Sequence, residues 1–273
     1  MSLRNGKGFV LRRDRGSIGR MSEQPPQYYT ALRPFRKHFP NGTPVLLYHK
    51  VGARPKGVRL RALYVSPRLF TTQLRELQQA GLQTISLNQL IQPRPPTHSF
   101  VITFDDGFSN VLRNAVAPMA ECRFKSIQFI VSNLIGRQNE WDVRDGEVAE
   151  RLMDLIEIRE WLAAGHEIGS HTRTHCRLSR LSLRDAAEEI SASKKQLEDL
   201  FGVRIRHFCY PYGDTNAAIE ELVLQAGYET GSTTEIGINE SKTSRLALRR
   251  FLARYPTRRI KYLREAWALF RQH

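Results

Sequence analysis

The chain has 273 residues, with 42 Lys and Arg against 27 Asp and Glu, a formal net charge of +15 and 41% hydrophobic residues. That length holds one large domain with a substantial core, or two small ones, and the composition is ordinary for a globular protein. No stretch approaches the roughly 20 consecutive apolar residues that a helical membrane span needs.

The charge is unevenly placed. Residues 1–40 hold nine Lys/Arg and two Asp/Glu, and residues 241–273 hold ten and one, which leaves 41–240 close to neutral. The basicity belongs to the ends and not to the body, and no base-reading motif accompanies it, so specific nucleic-acid binding is not expected. Basic ends of this kind suit weak contact with anionic surfaces, or simply solubility. Residues 1–40 read as a disordered tail in which Met21 is a second candidate start. No signal-peptide core is visible near residue 1, and Cys122, Cys176 and Cys209 form no even framework. The default expectation is therefore a cytoplasmic location with reduced thiols, export by another route staying open. Oligomeric state is not legible.

In chain order, PVLLYHKVG (44–52) reads as a buried strand. The stretch 66–81 reads as a helix with Ser66 as N-cap, Pro67 in the first turn and Gly81 as stop. A short strand and a turn of helix follow over 83–92. FVITFDDGFSN (100–110) is a buried strand that runs into two adjacent carboxylates and a glycine. Helices are expected over 110–123 (disturbed by Pro118), 147–165, 182–202 and 216–227. Strands are expected over 126–136, 166–170, 206–213 and 228–234. This alternation predicts a parallel sheet in an α/β fold, a distorted (β/α) barrel of about seven strands in a single domain.

Three polar clusters fall at strand ends, where parallel α/β folds gather functional groups. Asp105 beside Asp106 repels unless something compensates, and a cation is the obvious candidate; an Asx-turn closing the strand is the plainer alternative. His171 and His175 in GSHTRTH are four residues apart, so one helical turn would put both rings on one side. Two imidazoles and a carboxylate make a three-ligand site of the catalytic zinc type, the alternative being two exposed loop histidines. In FCYPYG (208–213), Pro211 and Gly213 shape a turn that can be a plain loop or can aim a backbone N–H at an oxyanion.

TFDDG, HTRTH and YPYG, in this order, resemble the motifs of the polysaccharide deacetylase family, carbohydrate esterase family four, whose catalytic unit is the NodB homology domain. VLLYHKVG, VSPRLFTTQLRELQQAGLQTISLNQL and GHEIGSHTRTH resemble its wording too, so the likeness runs from about residue 44 to 252. The resemblance implies a catalytic domain over 41–255 between the N-terminal tail and a basic C-terminal helix over 256–273. It implies a divalent metal, usually zinc, with cobalt or nickel possible, held by Asp106, His171 and His175. Asp105 would be the general base, the Tyr212 backbone N–H would serve the oxyanion, and the substrate would be an N-acetylated amino sugar in a glycan. Water activated by the metal would attack the acetyl carbonyl. A non-catalytic, metal-retaining carbohydrate-binding relative is the alternative.

Two features depart from the pattern. The Arg that many members carry two residues before the proline of the third motif is Cys209 here, and Arg250 resembles an Arg of a related subgroup that could replace it. The late Leu-x-His that supplies the general acid is absent; His49 is the first candidate to substitute and His207 a weaker one.

Overall fold

Apolar runs bounded by Gly, Pro and small polar residues become the strands of a parallel sheet, as residues buried on both faces require. The computed structural model describes residues 25–255. In chain order the elements are β1 (Val45–Tyr48), β2 (Lys50–Val51), β3 (Tyr64–Val65), α1 (Pro67–Gln79), β4 (Gln83–Thr84), α2 (Leu87–Leu90), β5 (Ser99–Phe104), α3 (Ser109–Glu121) and β6 (Ile127–Ile130). There follow α4 (Glu140–Val143), α5 (Leu155–Ala163), β7 (Glu167–Ser170), α6 (Leu183–Phe201), β8 (His207–Cys209), α7 (Ala217–Gln225), β9 (Thr230–Ser232) and β10 (Phe251–Leu252).

Seven strands lie in the order β10-β1-β5-β6-β7-β8-β9, with β4 beside the start of β5, and they curl into a half-barrel. Every pairing is parallel; Val45 faces Val101 and Leu46 faces Phe251 across the two sides of β1. A single parallel bridge from Ser232 to Leu248 brings the far edge back towards the segment that carries β10. The barrel of about seven strands read from the sequence is thus the observed architecture. β1, β5 and β6 are buried along their whole length, and helices cover the outside. Caps set the helix starts: Ser66 accepts from Leu69 N at 3.2 Å, and Ser182 from Asp185 N at 3.1 Å.

Several expectations need correction. The strand expected over 126–136 stops at Ile130 in β6, and α3 continues through Pro118 to Glu121. The helix expected over 147–165 is confined to α5, because Asp154 and Glu157 form a capping box that starts it late. The residues before it run extended, with Leu152 bridged to Phe108 and Arg151 to Gln138. The disordered tail expected through residue 40 does not hold for 25–40: Tyr29 and Phe35 are fully buried, and Phe35 packs edge-on against Phe251 at 5.1 Å. Tyr29 N–H donates to Leu252 O at 3.0 Å, so this segment runs beside β10. The rest of the tail, Met21 included, and the basic helix expected over 256–273 lie outside the described residues.

Candidate metal centre and catalytic cleft

Parallel strands deliver their C-terminal ends to one rim. Asp105 and Asp106 directly follow β5, His171 follows β7, the turn with Tyr212 follows β8, and His49 follows β1. A cleft of about 870 Å³ opens there, lined by all of these together with His175 and Arg250.

Asp106 lies at the centre. Its Oδ1 is 3.3 Å from His171 Nε2 and 3.3 Å from His175 Nε2. All three donor atoms lie within 4.8 Å of one another, and all three side chains are buried. His171 Nδ1 stands 2.7 Å from Cys209 O, a contact that orients the ring with its Nε2 beside Asp106. Donors held around a tetrahedral ion at bonds of about 2.0–2.1 Å stand about 3.3–3.4 Å apart. The two separations from Asp106 Oδ1 match, so this set could hold a divalent ion. Burial pushes the Asp106 carboxyl up, but the two imidazoles outweigh it and hold it well below the usual carboxylate range.

His171 and His175 do not share a helical turn, as the sequence suggested. They sit on a loop in which Thr172 (φ 64°) and His175 (φ 62°) adopt left-handed backbone. Asp106 (φ 74°) and Tyr212 (φ 62°) do the same, so four of the six non-glycine residues with positive φ among the described residues are at this rim. Such strain gathers where tertiary structure over-determines a position. Among the described residues, nothing hydrogen-bonds the His175 Nδ1. The ring is instead stacked on Trp141 at 4.2 Å and 23°, with Tyr212 edge-on at 4.7 Å.

Asp105 is held by a fork. Arg250 Nη1 donates to Oδ1 at 2.7 Å and Nη2 to Oδ2 at 2.8 Å. The guanidinium is fully buried, and it also donates to Thr233 O at 2.7 Å and to Thr103 Oγ1 at 3.1 Å. Burial raises the Asp105 carboxyl and the guanidinium overcomes that, leaving it below its usual value. Cys209 Sγ completes the group, 3.1 Å from Arg250 Nη2 and 3.4 Å from Asp105 Oδ2; burial raises its thiol.

Around Tyr212 the turn's own hydrogen bonds run from Gly213 N to Tyr210 O and from Asp214 N to Pro211 O, which leaves the Tyr212 amide outside them. Gly213 is required: at φ 70° a Cβ would stand 2.1 Å from Thr234 Oγ1. His49 is half-buried, and its Nδ1 has no hydrogen-bond partner among the described residues. Burial draws its pKa down, against the opposing pull of Asp106 and Asp105. His207 is elsewhere, bonded to Asn88 Oδ1 at 2.8 Å and Thr230 Oγ1 at 2.9 Å, and does not line the cleft.

Sequence reasoning passed over Trp141, which lies in the short helix α4, and Arg177, whose guanidinium lies 3.9 Å over the Tyr212 ring. The lone Trp in a charged stretch, NEWDV, was the available signal for the first.

A parallel half-barrel with a carboxylate–dihistidine cluster at its rim, beside an Arg-clamped second carboxylate, defines a hydrolase-like α/β class. The family model for polysaccharide deacetylase matches residues 92–231, and the chain belongs to that family. YxkH of Bacillus subtilis (strain 168), itself assigned to the polysaccharide deacetylases, is 26% identical over 216 residues, which is 77% of this chain and 71% of YxkH. Chitin deacetylase 1 of Cryptococcus neoformans var. grubii is 24% identical over 148 residues, covering 51% of this chain and 28% of that enzyme. Among solved structures, the Streptococcus pyogenes deacetylase PplD in complex with acetate superposes with a TM-score of 0.69 at 21% identity, over 82% of this chain and 98% of PplD; this is a likeness of fold.

Proposed function

We propose that the protein is a metal-dependent hydrolase that removes N-acetyl groups from an amino sugar in a polysaccharide or oligosaccharide. The observation that carries the reading is the approach of His171 and His175 to a single oxygen of Asp106, each at 3.3 Å, with Asp105 next in the chain and clamped separately. The adjacent carboxylates then have different roles. Asp106, His171 and His175 would hold the ion; the two-nitrogen, one-oxygen set suits zinc, with cobalt or nickel as substitutes. An ion there would supply Lewis acidity for the attacking water and the acetyl carbonyl.

Asp105 takes the proton from the attacking water, and Arg250 keeps the carboxylate ionised and aimed. The Tyr212 N–H donates to the developing oxyanion. His49, on the same cleft, is the residue placed to pass a proton to the departing amine. The products are acetate and a free amino sugar. A non-catalytic carbohydrate binder would not need Asp105 paired with a buried Arg inside the cleft.

The test is acetate release from N-acetylglucosamine oligomers by zinc- or cobalt-loaded protein, with elemental analysis of the same preparation. One metal per chain, turnover and its loss on chelation are expected. Stoichiometric metal with no acetate from a broad panel of acetylated glycans would favour the binding relative instead.

A further inference from the structure

We propose that Cys209 is a positioning residue for Asp105: its thiol occupies one acceptor site of Oδ2 and leaves Oδ1 as the oxygen that takes the proton. The inference rests on the reading of Asp105 as the base.

An ionised carboxylate offers two oxygens with about four acceptor sites. Arg250 uses one on each oxygen, Nη1 to Oδ1 at 2.7 Å and Nη2 to Oδ2 at 2.8 Å. Taken alone, that fork is symmetric and leaves the two oxygens equivalent. Cys209 breaks the symmetry. Its S–H donates to Oδ2 across 3.4 Å, and its sulfur accepts from Nη2 across 3.1 Å. Oδ2 therefore has two protein donors, and Oδ1 has one among the described residues.

The sulfur is placed by the sheet and not by a flexible loop. Cys209 is the last residue of β8, fully buried and in register with Ser232 of β9. Its carbonyl oxygen also meets His171 Nδ1 at 2.7 Å. One residue thus touches the base through its side chain and a candidate metal donor through its backbone. The side chain can be changed without removing the backbone contact, so the two roles are separable.

The experiment compares Cys209→Ala and Cys209→Ser with the parent protein, all metal-loaded. The readouts are kcat and KM for acetate release, metal content and thermal unfolding. Cys209→Ala is expected to lower kcat about tenfold, the scale of one weak donor lost from a charged acceptor, with KM within about twofold and metal stoichiometry unchanged. Cys209→Ser keeps a donor and an acceptor and is expected to recover most of that loss. In an Asp105→Asn background, Cys209→Ala is expected to add nothing. A parental kcat for Cys209→Ala overturns the proposal and makes the thiol a space-filler. So does a serine variant as slow as the alanine one, or a loss of metal that parallels the loss of activity. Full activity in Asp105→Asn itself would sink the assignment of the base, which is a separate failure.

Discussion

Arg250 and Asp105, 145 residues apart in the chain, meet as a buried bidentate pair, with N–O distances of 2.7 and 2.8 Å. The guanidinium comes from the residue before β10, and the carboxylate from the residue after β5, two strands that both pair with β1. A bidentate fork fixes direction as well as charge. Arg250→Ala is expected to destabilise the fold by about 3–5 kcal/mol, because it strands a buried carboxylate. Arg250→Lys keeps the charge but not the planar fork, and is expected to retain more stability than activity. Denaturant midpoints measured beside kcat separate the two.

On the proposed reading, metal content separates the adjacent carboxylates. Asp106→Asn and His175→Ala are expected to lose bound metal, by elemental analysis, and activity with it. Asp105→Asn is expected to keep the metal and lose about 10²-fold or more in kcat, the usual scale for a general base. If the two aspartate variants lose metal equally, the division of labour is wrong.

The stacking of Trp141 on His175 stands where a hydrogen-bonded partner usually orients a metal-ligating histidine. Trp141→Ala is expected to weaken metal affinity about tenfold or more, the scale of losing an outer orienting group. Competition with a chromogenic chelator reads this without any activity assay.

His207 predicts acid sensitivity. Its ring is buried between Asn88 and Thr230, and desolvation, with Arg206 and Lys194 adding to it, draws its pKa from 6.5 to about 3. Above pH 6.5 the ring is neutral in both folded and unfolded chains, so nothing is lost. Below that the unfolded chain binds a proton that the folded one refuses, and stability falls with pH until the folded ring titrates near 3. The contribution is up to about 4–5 kcal/mol across that window, at about 1.4 kcal/mol per pH unit. Unfolding free energies from pH 7 to 4 should decline less steeply in His207→Gln; equal slopes would remove this residue from the account.

The segment beside β10 supports the strand that carries Arg250. Phe35 is fully buried against Tyr29, Phe39 and Phe251. Phe35→Ala is expected to cost about 3–5 kcal/mol, by transfer and cavity terms, seen as a lowered Tm. A variant within 1 kcal/mol of the parent would mean that this segment only rests on the surface.

Much of the architecture was legible because local rules carry it. Alternating apolar runs and capped helices announced a parallel α/β barrel, and Ser66 marked the start of a helix where it occurs. The DDG, HTRTH and YPYG motifs named the rim residues, because chain ends of parallel strands collect on one side whatever the details of packing. Other features depended on distant partners. No periodicity in GSHTRTH shows that Thr172 and His175 turn left-handed to bring two rings onto one oxygen. Nor does QYYTALRPFRKHF announce that its aromatics pack on Phe251 instead of trailing in solvent. Above all, the side chain touching Asp105 is chosen by a register between strands far apart in sequence. Sequence spacing encodes which residues share an element; only the closed sheet decides that Arg250 and Cys209 meet the same carboxylate, because that contact exists only once β8, β10 and β5 are in place.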